Sequence, residues 1–326
     1  MADKLKKNAA TTAEEAEACS KQVSDIMSNI ESAIIGKHDT AELVLLCLIA
    51  GGHVLIEDVP GVGKTSLASA VAKSVDCGFK RIQFTPDLMP SDVTGFSIYN
   101  QKTGEFEFRK GAVMSNLVLA DEINRASAKT QASLLEAMEE KQVTVDGTTY
   151  RLEQPFMVIA TQNSVESFGT YPLPEAQVDR FFMKLSMGYP SVEDELHVVV
   201  MGDKVKRELK PVISKNDILS LRKKAEGVRI EEKLARYIVE IVSATRTSAD
   251  TALGSSPRGS ISLYRASQVY ALMKGRNYVI PDDIKYLAPF ILAHRLTLSH
   301  EAKISGRTEA DVIASVLQSI IVPAGN

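Results

Sequence analysis

The sequence is poor in the residues that build covalent or metal-held frameworks. Its three cysteines, Cys19, Cys47 and Cys77, are scattered over 326 residues, which excludes a disulfide scaffold or a zinc site and fits a reducing compartment. The five histidines are equally dispersed and read as structural or solvent-facing. Long hydrophobic runs are missing too. The longest, Leu43 to Ala50, falls far short of a membrane span, and Met1 to Ser20 is Lys/Ala/Glu-rich with no apolar signal core. A cytoplasmic protein without direct membrane insertion is expected. Nor does charge of one sign prevail: the net charge is -3 and the pI about 6.0. With no basic excess and no aromatic-plus-basic stripe, no nucleic-acid partner is expected.

What is present is an ordinary soluble composition, 44% hydrophobic and 24% charged, in a chain long enough for two domains. Residues 1–20 are polar, lack a strong apolar stripe and read as a mobile tail or frayed helix outside the core. Helical spacing begins at Val23 with Ile26, Met27, Ile30 and Ile34, and a second helix is expected from Thr40 to Ala50. Short apolar runs follow at Val54–Ile56, Lys80–Phe84, Leu117–Ala120 and Met157–Thr161, and read as strands covered on both faces. Alternation with helices predicts an α/β fold built on a doubly wound parallel sheet. Two hairpins interrupt it, one turning through Asn100 to Gly104 and one at Asp146-Gly147. After Tyr189-Pro190 helical patterns take over, near 214–226, 231–248, 257–274, 281–294 and 308–321. The expected division is a tail over 1–20, an α/β domain over 21–190 and a smaller all-helical lid over 191–326.

The most informative stretch is Asp58-Val59-Pro60-Gly61-Val62-Gly63-Lys64-Thr65, directly behind the apolar His53–Ile56 and ahead of a helical run from Ser66. Small residues there let successive backbone N–H groups curl around phosphate oxygens. Lys64 can reach the outer phosphates, and the Thr65 hydroxyl is placed for Mg²⁺. A bound nucleoside triphosphate is the expectation. Asp58 stands where the usual pattern has glycine.

Further along, Leu117–Ala120 delivers Asp121 and Glu122 to the edge of the sheet. Asp121 would hold the metal or its waters, and Glu122 would polarise the attacking water. Asn163, after the strand Met157–Thr161, would lie between the other strand ends, either sensing a γ phosphate or simply forming a turn. Arg180, in Leu173 to Phe181, either supplies a cation to a neighbouring subunit or pairs with Asp179 or Glu175. Arg258, in Ser256-Pro257-Arg258, either reports nucleotide to the lid or is an exposed residue of a capped helix start.

Together these stretches resemble the MoxR family of AAA+ ATPases, from about Ile35 to about Leu298. The likeness rests on Gly51–Leu55, the Asp58–Thr65 loop, Leu119–Ala126, Ala160–Asn163, Leu173–Phe181 and Ser256–Arg258. It implies ATP with Mg²⁺, Asn163 as sensor 1, Arg180 as arginine finger, Arg258 as sensor 2, and a self-assembled ring, usually a hexamer. It also places Ile35-Gly36 beside the adenine, extends the nucleotide contacts through Ser66, and identifies the hairpins as inserts facing the ring's opening or rim. Arg125 either acts across the interface or pairs with a helix carboxylate. Ser164 departs from the family, which usually has proline there. The implied function is ATP-driven, chaperone-like remodelling of a protein client, typically one carrying a von Willebrand factor A domain. The alternative is an ATP-gated scaffold with slow hydrolysis.

Overall fold

The computed structural model describes residues 10–58, 61–163, 170–201 and 209–323. It separates into two compact units. One holds Asp25–Phe181 and Leu185–Leu219, and the other holds residues through Ser24, Phe182–Lys184 and the chain from Ser220 on. The division falls near 219, beyond the turn at Tyr189-Pro190.

In chain order, α1 (Ala13–Glu31), which the division cuts after Ser24, and α2 (His38–Ala50) lead into β1 (Val54–Glu57), α3 (Lys64–Ser74) and β2 (Phe79–Gln83). There follow α4 (Pro90–Thr94), the hairpin β3 (Gly95–Asn100) and β4 (Glu105–Lys110), β5 (Leu117–Asp121) and α5 (Ala128–Glu140). The second hairpin, β6 (Gln142–Val145) and β7 (Thr148–Arg151), precedes β8 (Met157–Gln162), α6 (Glu175–Val178), β9 (Met183–Leu185) and α7 (Val192–Met201). The sheet runs β2-β5-β8-β1-β9, with β1 parallel to β8 and β5 parallel to both β2 and β8. The end of β8 therefore lies between those of β5 and β1, which is what the doubly wound arrangement requires of Asn163.

Why these runs make strands is visible in their burial. All of β1, β5 and β8 is buried except the last residue of each, so continuous apolar sequence suits them. The edge strand β2 is not covered in this way: Lys80, Arg81 and Gln83 are exposed and Phe79 and Ile82 half-buried. Phe84, Phe156 and Phe181 fill the core beneath β5 and β8. His53 is structural, as its sequence context suggests. Its Nδ1 accepts from Val158 N–H at 2.9 Å while Nε2 faces Met138 O at 3.2 Å, a neutral ring spent on the backbone. All three cysteines are buried, and burial pushes the Cys77 thiol up to about 12.

The second unit contains the rest of the helices: α8 (Lys215–Ala225), entered from the first unit, α9 (Glu232–Thr247), α10 (Pro257–Met273), α11 (Pro281–Leu292), α12 (His300–Ile304) and α13 (Glu309–Ser319). The expected helical lid is present, with one correction. A two-stranded ribbon, β10 (Thr251–Leu253) with β11 (Thr297–Leu298), closes across it. Strands of three and two residues are too short to carry a period. A second correction concerns residues 11–20, expected as a mobile tail or frayed helix outside the core. Ala16 and Cys19 are fully buried, Thr11 Oγ1 donates to Lys224 O at 2.6 Å and Ser20 Oγ to Met273 O at 2.8 Å. The stripe Ala16, Cys19, Val23, Ile26 begins with residues too small to register as hydrophobic. Residues 1–9 lie outside the described part.

Candidate active site

The phosphate loop turns on two left-handed glycines, Gly61 (φ 89°) and Gly63 (φ 95°), a conformation strained for any other residue. Gly63 caps α3, so the first-turn amides of Lys64, Thr65 and Ser66 open from a helix N-terminus that favours anions. Lys64 Nζ donates to Asp58 O at 3.0 Å, closing the loop. Val62 is buried; Val59 and Pro60 lie outside the described residues.

A cleft of about 370 Å³ opens beside this loop. Its walls come from four segments: Gly61, Gly63 and Lys64–Ser66, then Arg81 and Gln83 of β2, Asp121-Glu122 at the end of β5, and Asn163 after β8. The two carboxylates are tightly ordered. Asp121 Oδ1 accepts from Thr161 Oγ1 at 2.6 Å, and the same hydroxyl accepts the Glu122 N–H at 2.8 Å. Glu122 itself sits at φ 55°, an unfavourable conformation for a non-glycine residue, held where chemistry is expected. Its Oε2 accepts from Gln83 Nε2 at 2.7 Å and Arg125 Nη1 at 3.0 Å. Arg125 is thus paired with Glu122 of its own chain.

Thr65 and Asp121 offer a hydroxyl and a carboxylate, hard oxygen donors that suit Mg²⁺. Among the described residues no group of three or more His, Cys, Asp or Glu gathers to hold a metal by itself. A divalent ion that keeps waters and shares phosphate oxygens fits this donor set.

The remaining sequence candidates lie elsewhere. Asp58 is buried, and its Oδ2 accepts from Met187 N at 2.5 Å, Gly188 N at 2.8 Å and Ser186 Oγ at 3.4 Å. Its carboxylate anchors a turn instead of facing the cleft, which accounts for an aspartate in a glycine position. Lys37, also buried, grips the same turn through Met187 O at 2.8 Å and Gly188 O at 3.0 Å. Just before it, Gly36 (φ 69°) leaves room for Asp194: a Cβ there would come within 2.2 Å of Asp194 Oδ2. Ile35 is half-buried. Arg180 pairs neither with Asp179 nor with Glu175 in the bonds resolved. Its Nη1 meets Glu139 Oε2 at 2.6 Å and donates to Leu135 O at 3.2 Å, in a second cleft with Glu136 and Glu140. Arg258 is exposed at the start of α10, where its N–H donates to the Ser256 hydroxyl at 3.2 Å; it belongs to the second unit.

Sequence reading passes over Arg81, Gln83, Thr161 and Lys37. Arg81 and Gln83 did leave a signal, two polar residues at i and i+2 near the end of an apolar strand.

Comparison with known proteins fits this geometry. Residues 53–183 match the model of the ATPase family associated with various cellular activities (AAA), and residues 243–316 match the AAA lid domain. The chain is 41% identical over 306 residues to the protein named Chaperone MoxR1 of Mycobacterium tuberculosis, covering 91% of this chain and 81% of that one. The chain belongs to the MoxR family of AAA+ ATPases. It is also 56% identical over 299 residues to Uncharacterized protein YeaC of Bacillus subtilis, covering 91% and 93% of the two chains. A crystal structure of a candidate ATPase from Cytophaga hutchinsonii superposes with a TM-score of 0.89 at 42% identity, over 95% of this chain and 98% of that one. The MoxR assignment accounts for both the sheet order and the helical lid. No helix among the described residues is long and apolar enough to cross a membrane.

Proposed function

We propose that this MoxR-family protein binds ATP with Mg²⁺ in the cleft beside the phosphate loop, hydrolyses it, and uses the cycle to remodel a protein client. The carrying observation is the convergence of Lys64, Thr65, Asp121, Glu122 and Asn163 on one cleft. In this reading Gly61 to Ser66 and Lys64 hold the phosphates, Thr65 and Asp121 hold the metal, and Asn163 meets the terminal phosphate. The metal, when bound, neutralises charge on the phosphates. Glu122 takes a proton from the attacking water, and its bonds from Gln83 and Arg125 set where that carboxylate points.

Arg180 lines a different cleft from Lys64. That separation supports a cation offered to a neighbouring protomer, hence a homo-oligomeric ring, hexameric by family likeness. Arg258 would report nucleotide to the lid. The hairpin β3–β4 exposes Tyr99 (52%) and Phe106 (75%), in ring contact at 5.4 Å. Its Phe108 stacks on Tyr150 of the other hairpin at 4.1 Å. Exposed, braced aromatic surface of this kind supports contact with a protein, and the client class we infer is one carrying a von Willebrand factor A domain. The site of action we infer is cytoplasmic.

The test uses two variants. Glu122→Gln keeps the shape of the side chain but removes the base, so nucleotide binding persists while phosphate release falls by about 10²–10⁴-fold. Arg180→Ala leaves the phosphate-loop cleft of its own protomer intact, and mixing the two inactive variants restores part of the phosphate release, because some interfaces then combine Glu122 with Arg180. No recovery on mixing contradicts a cation acting in trans. Client remodelling that proceeds unchanged with Glu122→Gln, while assembly still requires ATP, replaces the motor with a nucleotide-gated scaffold.

A further inference from the structure

Arg81 is the side chain that connects the two carboxylates of the cleft. From edge strand β2, its Nη2 and Nε both reach Asp121 Oδ2, at 2.6 and 3.2 Å, and Nη2 also donates to Gln83 Oε1 at 3.1 Å. Gln83 then donates through Nε2 to Glu122 Oε2 at 2.7 Å. Asp121 is thereby held on both oxygens, by Arg81 on one and Thr161 on the other. Glu122 is held at one remove through an amide that receives with its oxygen and gives with its nitrogen. Only a forked, planar donor can make this set of contacts; an ammonium is a point charge.

The guanidinium occupies Asp121 Oδ2 and the Thr161 hydroxyl Oδ1, so a divalent cation binding this carboxylate would meet a cation already on it. Two cations on one carboxylate repel each other, so the ion and Arg81 compete for Asp121. The Arg81 side chain is 49% exposed, whereas that of Asp121 is 15% exposed. Arg81 can therefore leave Asp121 for solvent or for an anion in the cleft without opening the fold.

We propose that Arg81 is a positioning residue that fixes Asp121 directly and Glu122 through Gln83, and that a divalent cation takes Asp121 only by displacing it. The inference rests on reading the cleft as a nucleotide and Mg²⁺ site. It has a signature that damage to the fold lacks. Removing Arg81 eases metal entry but disorders the carboxylates, so metal affinity and turnover move in opposite directions.

The experiment titrates Mg²⁺ into the full-length protein holding a fluorescent, non-hydrolysable ATP analogue, beginning in EDTA, for wild type, Arg81→Gln and Arg81→Lys. Thermal unfolding of each is followed in parallel. For Arg81→Gln we expect the half-saturating Mg²⁺ to fall about threefold and turnover of ATP at saturating Mg²⁺ to fall about tenfold or more. Arg81→Lys keeps the charge without the fork, so its turnover stays low. An unchanged or higher Mg²⁺ requirement in Arg81→Gln overturns the competition. Full turnover in Arg81→Lys overturns the positioning role. Loss of analogue binding in EDTA by Arg81→Gln, as large as that caused by Lys64→Ala, also overturns it, by putting Arg81 on the phosphates. Should Arg81→Gln melt early, Arg81→Lys carries the turnover arm. Failure of the underlying reading looks different: the wild type itself takes up no analogue.

Discussion

Asp58 shows how a single residue can break a sequence pattern for a structural reason. Phosphate loops ordinarily place glycine there because the backbone must turn freely, yet this carboxylate accepts two backbone amides and a hydroxyl from 186–188. Lys37 takes the carbonyls of the same turn, so two buried charges are each matched by backbone dipoles. Restoring the usual glycine with Asp58→Gly is expected to destabilise the protein by about 1–3 kcal/mol, since it strands buried donors. Urea unfolding measures this, and a variant as stable as the parent contradicts the anchoring role. Neither partner was legible beforehand, because Met187 and Gly188 lie 129 and 130 residues away. Arg125 and Arg180 illustrate the same limit: the partners named from the sequence were neighbours along the chain or on a helix, whereas the fold brings Glu122 to one and Glu139 to the other.

At the scale of elements, legibility follows length and burial. β1, β5 and β8 were readable because both faces are buried and their apolar runs are continuous. Edge strand β2 was found, but its exposed face was not anticipated, and that face carries Arg81 and Gln83. The first half of α1 was missed because small residues, Ala16 and Cys19, line its buried side. Side-chain packing backs the paired strands at the centre of the sheet. Phe156 is 2% exposed within the core and meets His53 edge-on, with ring centroids 5.6 Å apart. Phe156→Ala is expected to lose about 3–5 kcal/mol of stability through lost burial and a residual cavity. The midpoint of denaturant unfolding reads this directly, and a loss below about 1 kcal/mol would show a far looser core than the one described.

For the whole molecule, the helical lid was legible because helical spacing repeats through its C-terminal stretch, and the phosphate loop and the paired carboxylates because each is a contiguous motif. Their meeting in one cleft follows from the strand order, which brings the ends of β5, β8 and β1 side by side. The central claim is more local: the cleft beside Gly61–Ser66 takes Mg²⁺ and a nucleoside triphosphate, with Lys64 as the main phosphate cation. The direct measurement is calorimetric titration of the full-length protein with a non-hydrolysable ATP analogue and Mg²⁺, for wild type and Lys64→Ala. The account predicts saturable uptake by the wild type and binding weakened about 10- to 100-fold in the variant, the loss expected for a charge-assisted contact. Absence of uptake by the folded wild type, or equal affinity in the two proteins, contradicts it.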